Sequence, residues 1–219
     1  PVVSSAASDV YKRQIFDSVV SIKSNYRDGD FFSKKSKKEG YRSRASYKLK
    51  EILTSDFSIR KGQSVFDLGS YPGSWSQVAY EFVGPTGKVA AIDIQEMKLQ
   101  NCFFIHKSIE AIHESDFEEI SEFVPFDLVL SDMAPNISGI RERDNALMVG
   151  LVNSTLSVID NFLKIKGSVL IKVFQGESLD YTRDALKKRF NKVKISKPKS
   201  YRPKSREIYI IVKELKKIT

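Results

Sequence analysis

The residues best suited to chemistry begin with a glycine turn that follows a short apolar segment. The segment Ser64–Leu68 is bounded by turn residues and predicts a buried strand. It runs into Gly69-Ser-Tyr-Pro-Gly73, whose glycines allow a ligand to approach the backbone closely. Ser74 is expected to cap a helix through Gln77 to Phe82. The dinucleotide fingerprint Gly-x-Gly-x-x-Gly is absent. The turn could therefore bind a small molecule or simply join the strand to the helix.

Two acids and one lysine stand at or near the ends of other apolar segments. Asp93 follows the glycine turn by about 20 residues, where an acid typically accepts hydrogen bonds from a nucleoside ribose. A cofactor that carries an adenosine is therefore expected. Asp132 ends a later apolar segment, just before Pro135. Lys172 interrupts the apolar run Val169–Phe174, where an ammonium group is costly unless it is paired or neutralised. A functional lysine is favoured, and a lysine that reaches water at the strand end is the alternative.

The elements that must position these residues alternate along the chain. Strands are predicted at Ser64–Leu68, Gly87–Asp93, Cys102–His106, Phe126–Asp132, Gly167–Phe174, Lys192–Ile195 and Glu207–Val212. Helices are predicted at Tyr41–Leu53, Gln77–Phe82, Glu110–Glu122, Asn145–Leu163 and Leu179–Phe190. This alternation predicts an α/β fold, with a mostly parallel seven-stranded sheet, helices on both faces and a C-terminal antiparallel hairpin. Ligands of such sheets bind beyond the carboxyl ends of the strands.

The charge of the chain is unevenly distributed. The net charge is +9, and residues 185–206 contain ten lysines or arginines and no acid. This favours a polyanionic partner, with a solubilising surface as the alternative. The helix predicted from Tyr41 to Leu53 has an apolar face of Ala45, Leu49, Ile52 and Leu53, and it offers Arg42, Arg44 and Lys48 outward to phosphates. The alternative is an ordinary amphipathic helix whose lysines are solvated and bind no phosphate.

Composition sets the remaining expectations. Residues 1–39 are expected to be a basic, flexible extension whose first 14 residues could be a sequence-assembly artefact, and residues 40–219 are expected to form the domain. The single cysteine, Cys102, excludes an internal disulfide and a cysteine-rich zinc site, which fits a reducing, cytoplasmic setting. His106 and His113 make a poor metal set, so no metal is expected. The sequence shows neither a membrane span nor a leader, and a monomer is the default expectation.

Five stretches of the sequence resemble those of a known enzyme family. They are Arg42-Ser-Arg-Ala-Ser-Tyr-Lys-Leu49, Asp67-Leu-Gly-Ser-Tyr-Pro-Gly-Ser-Trp-Ser-Gln77, Ser131-Asp-Met-Ala-Pro-Asn-Ile-Ser-Gly139, Lys172-Val-Phe-Gln-Gly176 and Ser205-Arg-Glu-Ile-Tyr209. With these motifs the chain resembles the FtsJ-like RNA 2′-O-ribose methyltransferases, most closely the bacterial branch that acts on a uridine of 23S (large-subunit) ribosomal RNA. The stretches follow the order of the family.

The resemblance implies a Rossmann-like class I methyltransferase fold and S-adenosylmethionine as the methyl donor. It implies a catalytic tetrad of Lys48, Asp132, Lys172 and Glu207. It implies that the donor is held around Gly69, Gly73, Trp75 and Asp132, with Asp93 at its ribose. Ser108 stands where the family has an acid near the adenine, and this departure puts the adenine contact in doubt. RNA contact is expected from Arg42, Arg44, Lys197, Lys199, Arg202 and Lys204, with ribosomal RNA or the large ribosomal subunit as partner.

The chemistry of methyl transfer agrees with these roles. A ribose 2′-hydroxyl is a weak nucleophile, so a base and fixed alignment accelerate its attack on a sulfonium methyl. Lys172 is the candidate base, and it serves only when neutral. Burial, Lys48 and the sulfonium would lower its pKa, whereas Asp132 and Glu207 would raise it. The net shift does not follow from the sequence.

Three alternatives accompany this hypothesis. A transfer RNA ribose methyltransferase would share Tyr47-Lys-Leu49 and Pro72–Val78, although the stretches at Asp132–Asn136 and Val173–Gly176 favour the ribosomal branch. A non-catalytic RNA-binding assembly factor would not need Lys172 in an apolar strand. A nicotinamide-dependent oxidoreductase would need the glycine fingerprint that the turn lacks.

Overall fold

The fold is described by a computed structural model for residues 31–112, 116–198 and 206–216. The described residues fall into two compact units, one of residues 31–44 and one that begins at Ala45. In the smaller unit, residues 31–38 are helical, and the hydroxyl of Ser36 donates to the carbonyl of Ser33 at 2.9 Å. The polar, lysine-rich composition of this stretch did not predict a helix.

The larger unit alternates strands and helices. Its described strands are β1 (Ser64–Leu68), β2 (Lys88–Asp93), β3 (Phe103–His106), β4 (Phe126–Ser131), β5 (Leu163–Phe174), β6 (Phe190–Ser196) and β7 (Glu207–Leu215). Its described α helices are α1 (Ala45–Asp56), α2 (Ser74–Val83), α3 (Asp116–Glu119), α4 (Arg141–Phe162) and α5 (Glu177–Arg189). A 3₁₀ turn covers Ile109–Ala111.

The strands form one sheet, and their order determines the edge at which a ligand would bind. The order is β3-β2-β1-β4-β5-β7-β6, with β7 antiparallel to β5 and β6 and the other pairs parallel. The strand order reverses between β1 and β4, and this is where ligands bind in such sheets. Because β7 is antiparallel, its first residue, Glu207, pairs with Phe174 at the end of β5. The beginning of β7 therefore shares an edge with the carboxyl ends of the parallel strands. The α/β fold class and the hairpin are confirmed.

The core lies against the central strands, which are apolar almost throughout. The rings of Phe66 in β1 and Phe126 in β4 are fully buried and stack with centroids 4.7 Å apart. Leu49, Ile52 and Leu53 of α1 are also buried, which confirms most of the predicted apolar face. Continuous apolar strands are expected where helices cover a parallel sheet.

The starts of α1 and α2 differ from the sequence-based expectation. Helix α1 begins at Ala45, so Arg42 and Arg44 precede the helix instead of lying on its outer face. The cap of α2 is Gly73, with a φ of 103°, and Ser74 is the first helical residue. Only glycine adopts that left-handed conformation without strain, so the backbone turn and not a serine hydroxyl begins the helix.

The stretch predicted as one helix from Glu110 to Glu122 is divided. Its described parts are the end of the 3₁₀ turn, an extended residue at Ile112 and the single-turn helix α3. Glutamates recur at every fourth position of this stretch, at 110, 114, 118 and 122. Like charges four residues apart destabilise a helix, which explains why a continuous one is not favoured here.

Candidate active site

The glycine turn after β1 is fixed against the two neighbouring strands. The amide of Gly69 donates to the carbonyl of Ile92 at 2.9 Å, and its φ is +72°. A Cβ on this residue would lie 2.3 Å from Cγ of Met133, the second residue after β4. The turn therefore needs glycine for its conformation and for its close approach to the β4 exit.

Asp93 holds the glycine turn after β1 and the turn that follows its own strand, β2. Its Oδ2 accepts from the amide of Tyr71 at 2.8 Å, and its Oδ1 accepts from the amide of Gln95 at 2.8 Å. Each carboxylate oxygen has a further lone pair for a ligand hydroxyl. The carboxylate is thus held rigidly at the end of β2, as a ribose-binding acid needs to be.

A cleft of about 530 Å³ opens at this edge of the sheet. It brings together four of the predicted donor-binding residues: Gly69, Asp93, Ser108 and Asp132. Gly73 and Trp75 are not among the described residues that line it. The indole of Trp75 is 2% exposed and donates to the carbonyl of Ala45 at 3.1 Å, so it anchors α1.

Ser108 has a structural task in addition to its place in the cleft. Its hydroxyl accepts from the amide of Glu110 at 3.3 Å and caps the 3₁₀ turn. Glu110 also lines the cleft. An acid is therefore present in the cleft two residues beyond the position where the family carries one. The sequence analysis did not identify Glu110 as a candidate.

The four residues of the predicted tetrad form two ion pairs at the same edge. Nζ of Lys172 lies 3.0 Å from Oδ1 of Asp132 and 2.5 Å from its backbone carbonyl oxygen. Nζ of Lys48 lies 2.8 Å from Oε2 of Glu207. Lys172 is 6% exposed, so its ammonium is buried and paired, as its position in an apolar strand requires.

Tyr209 connects the two ion pairs and was not predicted as a site residue. Its hydroxyl donates to Oδ1 of Asp132 at 3.1 Å, and Nζ of Lys48 lies 3.5 Å from it. A usable signal existed in the sequence. Residues two apart on a strand share a face, so Tyr209 must accompany Glu207.

Asp67 is a fully buried acid next to these groups. Oδ2 accepts from the hydroxyl of Ser76 at 2.6 Å, and Oδ1 has no hydrogen-bond partner among the described residues. Burial, together with the negative charges of Asp132 and Asp93, raises the pKa of Asp67 to about 7. Its carboxyl group therefore keeps its proton to a higher pH than an exposed aspartate does.

The predicted RNA-binding residues are only partly described. Lys197 is exposed after β6, whereas Lys199, Arg202 and Lys204 lie outside the described residues. Arg42 and Arg44 belong to the smaller unit, where Arg42 is exposed.

The described ranges contain neither a metal-binding cluster nor a candidate membrane span. None of the three ranges groups three or more histidines, cysteines or acids around a possible metal position. Across the same residues, no helix has the length and apolarity needed to span a membrane. His106 is exposed, with Nε2 3.0 Å from the carbonyl oxygen of Ile94, and His113 lies outside those ranges.

The doubly wound sheet of this chain carries its cleft, and the paired lysines and acids, at the carboxyl ends of its parallel strands, where ligands of such sheets bind. A family model described as FtsJ-like methyltransferase matches residues 41–215. The chain belongs to this family.

Relatives and solved structures agree with the assignment. The ribosomal RNA large subunit methyltransferase E of Stutzerimonas stutzeri is 43% identical over 190 residues, covering 85% of this chain and 92% of that protein. The protein of the same name from Xanthomonas campestris pv. campestris is 45% identical over 185 residues, covering 83% and 88%. A candidate ribosomal RNA methyltransferase of Plasmodium falciparum has a TM-score of 0.71 at 30% identity, covering 80% of this chain and 98% of that one.

Proposed function

We propose that this chain transfers a methyl group from S-adenosylmethionine to the 2′-hydroxyl of a uridine in large-subunit ribosomal RNA. One observation carries the proposal. The side chains of Lys48, Asp132, Lys172 and Glu207 meet at the edge of the sheet beside the glycine-turn cleft. Asp132 contacts Lys172 and also lines the cleft, so the base and the donor site share one residue.

The cleft fits the proposed donor. Gly69 keeps the backbone open where a Cβ would collide with Met133, and Asp93 offers fixed carboxylate oxygens for ribose hydroxyls. Asp132 offers a second carboxylate for the cationic part of the molecule. When bound, the donor would supply an electrophilic methyl group on a sulfonium, whose sulfur would keep the electron pair of the C–S bond.

Lys172 is the proposed base. The 2′-oxygen forms the new C–O bond as its proton passes to a neutral Nζ of Lys172. Asp132 orients that nitrogen through two contacts, from Oδ1 and from the backbone carbonyl. Glu207 pairs with Lys48 at 2.8 Å, and the positive charge of Lys48 would stabilise the 2′-oxygen as it loses its proton.

The substrate class is proposed from the relatives and from the charge of the chain. The curated relatives described above are named ribosomal RNA large subunit methyltransferases. The run of ten basic residues in 185–206 suits a polyanion, and phosphate neutralisation supplies affinity without choosing the nucleotide. A monomer, a cytoplasmic setting and the domain boundary near residue 40 stay predictions.

A direct comparison of substrates tests the proposal. Purified large ribosomal subunits, naked 23S RNA and transfer RNA are incubated with the chain and labelled donor. Label in ribosomal RNA is expected. Label in transfer RNA alone would favour the transfer RNA methyltransferase instead.

Substitution of the base separates an enzyme from an assembly factor. Lys172→Ala should bind RNA and donor with dissociation constants within threefold of the wild type yet lose about 10²–10⁴-fold in methyl transfer, because proton removal contributes that much in rate. Turnover that persists in this variant would remove Lys172 from its role.

A further inference from the structure

Tyr209 links the two ion pairs of the site through one carboxylate oxygen. Oδ1 of Asp132 accepts from the Tyr209 hydroxyl at 3.1 Å and lies 3.0 Å from Nζ of Lys172. On its other side, the same hydroxyl is 3.5 Å from Nζ of Lys48. Lys48, Tyr209, Asp132 and Lys172 thus form a continuous chain of contacts.

The position of the phenol is fixed by the fold. Tyr209 is fully buried and pairs directly with Lys172 across β5 and β7. Its ring centroid lies 6.0 Å from that of Trp75, whose indole holds the first residue of α1. Because α1 also carries Lys48, the contacts of Trp75 with Tyr209 and with Ala45 fix the positions of the phenol and of Lys48 relative to each other.

The contact changes what Asp132 can do for Lys172. A phenol that donates to a carboxylate makes a charge-assisted hydrogen bond, which takes up part of the negative charge. A carboxylate engaged in this way holds the proton of a neighbouring ammonium less tightly than a bare one would. Lys172 accepts the substrate proton only when it is neutral, so this weakening favours the reactive form.

We propose that Tyr209 is a positioning residue that tunes the proton affinity of Lys172 through Asp132. The inference rests on the proposed function, because it concerns the base of the same reaction. The charged groups that face the contact are Lys48 from α1, Lys172 from β5 and Glu207 from β7, while Asp67 of β1 acts electrostatically on Asp132. The hydroxyl of Tyr209 therefore connects the Lys48–Glu207 ion pair with the Lys172–Asp132 ion pair.

Tyr209→Phe tests the proposal because it removes one oxygen and keeps the ring against Trp75. The rising limb of the pH–rate profile should move up by about half to one pH unit, since a hydrogen bond to a charged group is removed from Asp132. Along that limb the wild type should then be about three- to tenfold faster, and the two rates should converge once both profiles reach their plateau. The KM for ribosomal RNA and the dissociation constant of the donor should stay within twofold.

Two further variants complete the experiment. Tyr181→Phe is the matched control, because its hydroxyl donates to Asn153 at 2.6 Å on helices outside the site, and its profile should match the wild type. The 3-fluorotyrosine variant at position 209 keeps the shape and donates more strongly, so its rising limb should move to lower pH. This second variant keeps the test available if Tyr209→Phe fails to fold, which thermal unfolding reports.

The outcomes separate the inference from the function. Equal rates for Tyr209→Phe and the wild type, or a rate ratio that is constant across pH, would overturn the role of Tyr209 and leave the proposed function intact. A wild-type chain that methylates no RNA at any pH would overturn the proposed function, and the inference would fall with it.

Discussion

The free energy of unfolding should depend on pH through one buried carboxyl group, that of Asp67. In the folded chain its pKa is raised to about 7, from the ordinary value of 3.8, because burial disfavours the charged form. Between these two pH values the folded state keeps a proton that the unfolded state releases. Stability therefore falls as pH rises through this window.

The size of the effect follows from that window. Each pH unit between 3.8 and 7 costs the folded state up to about 1.4 kcal/mol, so about 4 kcal/mol accumulates over the whole range. Asp67→Asn cannot ionise, and its amide oxygen can still accept from Ser76. Relative to this variant, the wild type should lose about 3 kcal/mol of stability between pH 5 and pH 8.

Urea unfolding at several pH values measures the difference. Trp75 is the only tryptophan and is buried, so its fluorescence reports unfolding. Glu118→Gln, which removes an exposed acid, serves as the control, and its stability should run parallel to that of the wild type. A difference between wild type and Asp67→Asn that is constant from pH 5 to 8 would refute the burial argument, because the carboxyl would then be ionised in the folded chain.

Two further predictions concern the glycine turn and the basic surface. Gly69→Ala should destabilise the chain by about 1–3 kcal/mol in urea unfolding and weaken donor binding at least tenfold in calorimetry, since its Cβ would lie 2.3 Å from Met133 at a φ of +72°. The matched Gly150→Ala in α4, where no atom beyond the adjoining residues and the helix's own backbone lies within 4 Å of the added Cβ, should stabilise by about 0.5–1 kcal/mol, and a fall in stability there would contradict the reasoning. RNA affinity should fall linearly with salt on a log–log plot, and Arg42→Ala should reduce the slope by about 1 if Arg42 contacts a phosphate; an unchanged slope would exclude that contact.

The sequence predicted the sheet well because its strands are apolar, short and bounded by turn residues. Burial on both faces leaves a continuous apolar run, as in Phe126–Ser131, and such a run is visible without a structure. The antiparallel hairpin was predictable because no helical pattern separates β6 from β7. The division of the acidic stretch after Ser108 was missed, because its helical spacing was weighed without the repulsion among its glutamates.

The site was predicted in part from spacing and in part from the family resemblance. Asp93 and Asp132 follow from their places at strand ends, where ligands of such sheets bind. Lys48 and Glu207 are 159 residues apart, and no local pattern places them together. Tyr209 was missed although it is two residues from Glu207 on one strand. Trp75 at the donor stays a prediction, and the support that its indole gives to α1 depends on tertiary packing that the sequence does not show.

The central claim is that the paired lysines and acids direct a methyl group to a ribose oxygen. Nucleoside mass spectrometry of large-subunit RNA tests it most directly, after incubation of unmodified ribosomal particles with donor and either wild type or Lys172→Ala. The account predicts one new 2′-O-methylated uridine with the wild type and none with the variant. A methyl group on a base, or equal ribose methylation by both proteins, would contradict it.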